Sequence, residues 1–171
     1  MTMAMGVMHG SDLVVGVADV KVSGNSDERL VTYALGSCLG ISIYDPQVKV
    51  GGLLHVMLPT GAIDPDKMAQ NPSMFVDSGV PLLFKECYKF GAKKERMIIK
   101  VAGGSHTGAT DEDDKYQIGK RNLLALRKLL WKNGVMLHAQ NTGGVQVSRT
   151  MWLDIGTGGV TLKVNGAECN L

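Results

Sequence analysis

The chain has 171 residues, which at roughly 100–200 residues per domain reads as a single domain, long enough to bury a core without disulfide or metal staples. With 18 Lys and Arg against 16 Asp and Glu the formal charge is +2, so binding to nucleic acid or a membrane surface through bulk charge is not indicated. Hydrophobic residues at 44% and charged residues at 20% exclude general disorder, and aromatics at 5% are too few for a base-stacking surface.

Three cysteines, Cys38, Cys87 and Cys169, with no C-x-x-C pair, make neither a disulfide framework nor a zinc site. Reduced thiols in a cytoplasmic protein are the expectation. No apolar run approaches the ~20 residues of a membrane helix. Met1 to Gly10 holds four methionines but lacks the basic segment and apolar stretch of a signal peptide. Residues 1–12 therefore read as a flexible Met-rich leader, 13–165 as the domain and 166–171 as a frayed tail.

Val14 to Val22 predicts a first strand, closed by the turn formers Ser23-Gly24-Asn25-Ser26-Asp27. Leu30 to Leu35 is a second strand. Leu39 to Tyr44 alternates Leu39, Ile41 and Ile43 with Gly40, Ser42 and Tyr44, the period of a half-buried strand. Asp45-Pro46 turns the chain, and Gly51 to Leu58 returns as a fourth strand ended by Pro59. Thr60 to Pro72 reads as a surface loop. Asp77 to Phe90 predicts a helix with Val80, Leu83, Phe84, Cys87 and Phe90 at three- and four-residue spacing and Pro81 in its first turn. Met97 to Val101 is a strand, and Gly103 to Lys115 a polar and acidic loop. Ile118 to Lys132 is a second helix, ended by Asn133-Gly134. Val135 to Gln140, Gln146 to Asp154 and Gly159 to Val164 complete the strands. The sum is a single-domain layered α/β fold with a largely antiparallel sheet and two main helices.

The strands flanking Asp45-Pro46 carry the one constellation of chemical interest. If their apolar faces coincide, Leu39 lies opposite Val56, Ile41 opposite Leu54, and Gly40 opposite His55. Cys38 and His55 then project from one face as diagonal neighbours, roughly 7–8 Å between their backbone positions across the strands and less between side chains. A one-residue slip would turn His55 to the other face. An imidazole beside a thiol promotes the nucleophilic thiolate, Gly36 and Gly40 leave room for a substrate, and backbone N–H groups of Gly36-Ser37-Cys38 could hold an oxyanion. The spacing alone equally admits a free Cys serving as a small buried hydrophobe and a structural His.

Other candidates carry less. Cys87 falls on a helix's apolar side and Cys169 in the frayed tail. Asp111-Glu112-Asp113-Asp114 lacks the spaced ligands of a calcium loop, and the Gly103-Gly104 and Gly143-Gly144 pairs lack the Lys-Ser/Thr of a phosphate loop. His106 lies in a loop beside Gly103-Gly104, and His138 alternates within a strand.

Thr32-Tyr33-Ala34-Leu35-Gly36-Ser37-Cys38, then Tyr44-Asp45, then Gly51-Gly52-Leu53-Leu54-His55-Val56-Met57-Leu58-Pro59 resemble the chemoreceptor glutamine deamidase family, CheD. Lys100-Val101-Ala102-Gly103-Gly104, Ile118-Gly119-Lys120-Arg121-Asn122 and Asn141-Thr142-Gly143-Gly144 follow in the family's order, so the resemblance spans about Val14 to Val164. It implies an α/β/β sandwich similar to that of deamidating bacterial toxins. It further implies conversion of glutamines of methyl-accepting chemotaxis receptors to glutamate, sometimes with methyl-ester hydrolysis, and no metal or organic cofactor. The family's nucleophile falls on Cys38, its histidine on His55, and the threonine supporting the histidine on Thr32, with Gly36 and Ser37 flanking the nucleophile. The resemblance also implies a second partner, a CheC-type phosphatase, hence an alternative in which the protein chiefly regulates that phosphatase. It implies a cytoplasmic location, with recruitment to receptor arrays. A general cysteine protease is a third reading. Ala34 stands where the motif leads one to expect a glycine or similar small residue, and Ser105 to Asp114 follows no family pattern.

Overall fold

The computed structural model describes residues 11–110 and 112–171. The strand expected over 14–22 is replaced by β1 (Ser11–Val14) and β2 (Asp19–Ser23); β1 takes in the last two residues of the expected leader 1–12, the rest of which lies outside the described residues. Between them Ala18 takes a left-handed φ of 55°, and the Asp19 carboxylate accepts the Gly16 N–H at 3.3 Å. The two strands enter different sheets. Apolar alternation is the same on either side of such a crossing, so periodicity does not register it.

The remaining strands are β3 (Glu28–Leu35), β4 (Leu39–Asp45), β5 (Val50–Val56), β6 (Ile98–Gly103), β7 (Ala139–Thr142), β8 (Arg149–Asp154), β9 (Val160–Val164) and β10 (Ala167–Asn170). Three α-helices join them: α1 (Pro65–Gln70), α2 (Val76–Tyr88) and α3 (Ile118–Lys132). One sheet runs β1-β3-β8-β9-β10 and the other β2-β5-β4-β6-β7. The β1–β3 and β6–β7 pairs are parallel, and the other ladders are antiparallel.

The second sheet is the middle layer. On one face Leu39, Ile41, Ile43, Leu54 and Val56 pack against Val80, Leu83 and Phe84 of α2 and Leu126 and Leu130 of α3. On the other, Tyr44, Leu53 and Ala102 meet Leu30, Leu35, Met151 and Leu153 of the first sheet. This is the expected α/β/β sandwich. Being covered on both sides, β4 and β5 are buried along their whole length, where alternation predicts a half-buried β4. Gly40 on β4 permits the close approach of the sheets: a Cβ there would lie 2.8 Å from Leu35 Cδ1 and 3.0 Å from Met151 Sδ.

Local differences from the sequence reading follow from side-chain capping and late pairing. The loop expected over 60–72 contains α1, started by Asp64, whose side chain accepts the Lys67 N–H at 3.1 Å. Pro81 lies in the second turn of α2, inside the helix, so that turn lacks one N–H donor. The segment 167–170, expected to fray, is β10, paired with β9 through Cys169↔Leu162 and its neighbours. Among the described residues no helix is long and apolar enough to cross a membrane.

Candidate active site

The β4–β5 hairpin adopts the register its apolar faces predict: Leu39↔Val56, Gly40↔His55 and Ile41↔Leu54. The ladder stops there. The N–H groups of Met57 and Leu58 turn instead to the Met74 carbonyl, at 2.8 and 3.1 Å. Cys38 precedes β4 by one residue and packs against the cluster between the two sheets. Strand alternation puts His55 on that same face, and the structure places its ring against a residue of the facing sheet.

That residue is Thr32, on β3. Its Oγ1 lies 2.7 Å from His55 Nδ1 and donates to the Val15 carbonyl at 2.8 Å. A hydroxyl has a single proton to give. With that proton on Val15 O, Oγ1 accepts from the ring, so the hydrogen-bond network puts the imidazole proton on Nδ1 and leaves a lone pair on Nε2. His55 Nε2 is buried and has no hydrogen-bond partner. Burial lowers the His55 pKa from 6.5 to about 4, so the ring is neutral near pH 7. Just past Thr32 the β3–β8 register shifts, and Ala34 takes a left-handed φ of 57°. The bulge turns the chain into Gly36-Ser37-Cys38.

That turn is held by its carbonyls. Gly36 O accepts the Ser105 N–H at 2.9 Å and Cys38 O the Gly104 N–H at 3.0 Å. Ser37 O accepts the side-chain amide of Asn122, on α3, at 3.1 Å. The Gly36 N–H goes to Ala34 O at 3.1 Å, whereas the N–H groups of Ser37 and Cys38 donate to no other described residue. A Cβ on Gly103, at φ 114°, would run into the Cys38 carbonyl oxygen, so glycine is required there. The Cys38 side chain is partly exposed. Burial raises its pKa, opposed by its own backbone N–H. Thiol and imidazole are thus both neutral at rest, with an open lone pair on the imidazole.

The other singled-out residues lie elsewhere. Cys87 is buried on α2, its thiol pushed by burial up to about 12, and Cys169 is exposed on β10. His138 is structural: its Nδ1 accepts the Ile99 N–H at 3.1 Å. His106 lies 3.5 Å from the Asp114 carboxylate. Asp114 orders its own loop by accepting from Gln117 N at 3.2 Å and Thr107 N at 3.4 Å. Asp111 is outside the described residues, among which no cluster of three or more His, Cys, Asp or Glu could hold a metal. An apolar groove between α2 and α3, lined by Val80, Phe84, Leu129 and Val135, lies on the helix side of the middle sheet, opposite His55.

Two residues at the site were given no role by sequence reasoning, although Asn122 stands in one of the motifs that carry the resemblance. Arg149, 4% exposed, donates to Asn141 Oδ1 at 2.9 Å, Gly143 O at 2.9 Å and Gly103 O at 3.4 Å, fastening the glycine loops behind Cys38. Asn122 is fully buried. Its place in the sequence does hold a signal, since it continues the stripe of Leu126 and Leu130 at four-residue spacing, where an apolar residue is expected.

A family model described as CheD chemotactic sensory transduction matches residues 57–164. A relative from Syntrophus aciditrophicus named "Probable chemoreceptor glutamine deamidase CheD 1" is 49% identical over 91% of this chain and 95% of its own length. Relatives named "Probable chemoreceptor glutamine deamidase CheD" are 46% identical in Solibacter usitatus, over 93% and 92%, and 41% identical in Pyrococcus abyssi, over 92% and 94%. The chain belongs to the CheD family. A crystal structure of a Neisseria meningitidis protein bears a distant likeness, with a TM-score of 0.43 at 10% identity over 78% of this chain and 63% of that one.

Proposed function

We propose that this protein is a protein-glutamine deamidase (protein-glutamine glutaminase) that converts glutamines of methyl-accepting chemotaxis receptors to glutamate, with Cys38 as nucleophile, His55 as acid and base, and Thr32 orienting His55. The names of its relatives support the substrate class. The observation that carries the chemistry is the buried, unpartnered His55 Nε2, whose tautomer Thr32 sets, on the face where Cys38 stands.

The Cys38 thiol proton passes to Nε2 as Sγ attacks the carboxamide carbon. The oxyanion meets the N–H groups of Ser37 and Cys38, the two in the turn that donate to no other residue. Collapse of the tetrahedral intermediate takes the proton from Nε2 to the departing nitrogen, and ammonia leaves a thioester on Cys38. Water then gives a proton to Nε2 and attacks the thioester. Glutamate departs, and the Cys38 sulfur recovers a proton from His55. Gly36 keeps the approach open: a Cβ there would meet nothing nearer than Ser105 Oγ at 4.0 Å. The scheme uses protein groups alone. Receptor glutamines face the cytoplasm in this reading, and the family resemblance makes a CheC-type phosphatase the second partner, competing for the same site.

The test is incubation with a purified receptor cytoplasmic domain, followed by peptide mass spectrometry. Wild type converts particular glutamines to glutamate and Cys38→Ala converts none. A folded wild type that leaves several receptor domains unchanged would overturn the proposal in favour of phosphatase regulation.

A further inference from the structure

Asn122 reaches the Cys38 turn from a different layer of the fold. Its Nδ2 donates to Ser37 O and to Met57 O, each at 3.1 Å. Those carbonyls sit where the β4–β5 ladder has ended, one before Cys38 and the other two residues after His55. Both amide protons are thereby used, and the orientation of the side chain is fixed, because a flip would set Oδ1 against two carbonyl oxygens. Oδ1 is left buried without a partner. Among the described residues, that atom and His55 Nε2 are the two buried side-chain polar atoms lacking hydrogen bonds, and both belong to residues at one corner of the molecule. A buried orphan acceptor is costly, because it has given up water without a replacement partner. A residue that tolerates that cost needs its two donations.

The first donation acts on a catalytically important peptide unit. Ser37 C=O and Cys38 N–H belong to the same planar trans peptide, in which the two groups point in opposite directions. Holding the carbonyl toward α3 therefore aims the Cys38 N–H away from it. The Ser105 N–H does the same for the preceding peptide by holding Gly36 O, which aims the Ser37 N–H. The two N–H groups that donate to no other residue are the ones whose carbonyl partners are tied down.

We propose that Asn122 is a positioning residue that aims the Cys38 N–H at the developing oxyanion and, through Met57, keeps the end of the His55 strand beside the Cys38 turn. This rests on the deamidase reading. Leu there would continue the apolar stripe of α3 but has nothing to donate, so it separates filling the position from holding the two carbonyls.

The test uses full-length wild type, Asn122→Asp and Asn122→Leu, with three readouts: receptor-glutamine conversion resolved into kcat and KM, iodoacetamide labelling of Cys38 followed on its own peptide, and the thermal midpoint. Alkylation is a direct displacement at sulfur and forms no oxyanion. Both variants are expected to lose about 10–100-fold in kcat, somewhat less than deletion of an oxyanion donor costs, with KM within about 3-fold and Cys38 labelling close to wild type. Folded variants that keep wild-type kcat would overturn the inference, as would losses of kcat and Cys38 labelling in step, which mark collapse of the site. If wild type itself fails to convert glutamine, or Cys38→Ala still converts it, the deamidase reading falls first, and the two failures are distinct.

Discussion

His55 shows how one hydroxyl can decide what a histidine does. The ring sits at a buried position that would suit any structural histidine. What separates it from His138, whose Nδ1 takes a backbone N–H, is the direction of the Nδ1 bond. Thr32 gives its proton to Val15 O and receives from Nδ1, so Nε2 stays open. Thr32→Val keeps the shape and removes the hydroxyl. Val15 O and Nδ1 then both lose a partner, which costs about 1–3 kcal/mol of stability, and nothing holds the tautomer. The measured kcat should fall by about 10²-fold or more, whereas Thr32→Ser should recover most of it. Equal activity in the two variants would show that the hydroxyl does not set the tautomer. This part of the site was only half legible in the sequence. Cys38 and His55 follow from pairing the apolar faces of one hairpin, but Thr32 belongs to another sheet, and no local pattern says that two sheets will meet at that point. Resemblance to a family supplied it.

The secondary elements differ in how openly the sequence declares them. The β4–β5 register is legible because the side-chain period of two leaves one pairing that buries both apolar faces. Helix α3 is legible from its periodicity and its Asn133-Gly134 stop. The division of the first strand at Ala18 is not, since only the destination of each half distinguishes them. Asn122 is readable as an oddity, a polar residue in an apolar stripe, but its purpose depends on Ser37, 85 positions away along the chain. Gly52 shows the same dependence on distant elements. A Cβ there would lie 2.6 Å from Leu83 Cδ1 and 2.9 Å from Val22 Cγ2, with the Cys87 sulfur at 3.1 Å. Gly52→Ala should push α2 off the hairpin and cost about 1–3 kcal/mol in chemical denaturation. An unchanged midpoint would mean that the helix layer yields more easily than its packing indicates.

At the scale of the whole molecule, the site is a product of layering. The middle sheet contributes His55 and leads out of the Cys38 turn, the facing sheet contributes Thr32, and the helix layer contributes Asn122. A layered α/β architecture was legible from the pattern of strands and helices, and the α/β/β order came from the family resemblance. The burial of both faces of β4 was not, because Gly40 and Ser42 look like solvent-facing residues until a second sheet covers them. That covering excludes water from the His55 ring and lowers its pKa from 6.5 to about 4, which suits the base role proposed for it. A base of this kind is lost only as pH falls through the lower value, and burial of Cys38 keeps the thiol neutral well above it. The most direct test is the kcat/KM of Cys38-dependent glutamine conversion at about pH 5 relative to about pH 7. A base titrating at about 4 is still about nine-tenths unprotonated at pH 5, whereas one titrating at 6.5 is only about 3% unprotonated. Retention of most of the rate is the predicted result. A fall to a few per cent, in protein that remains folded, would contradict a buried, neutral His55 as the base.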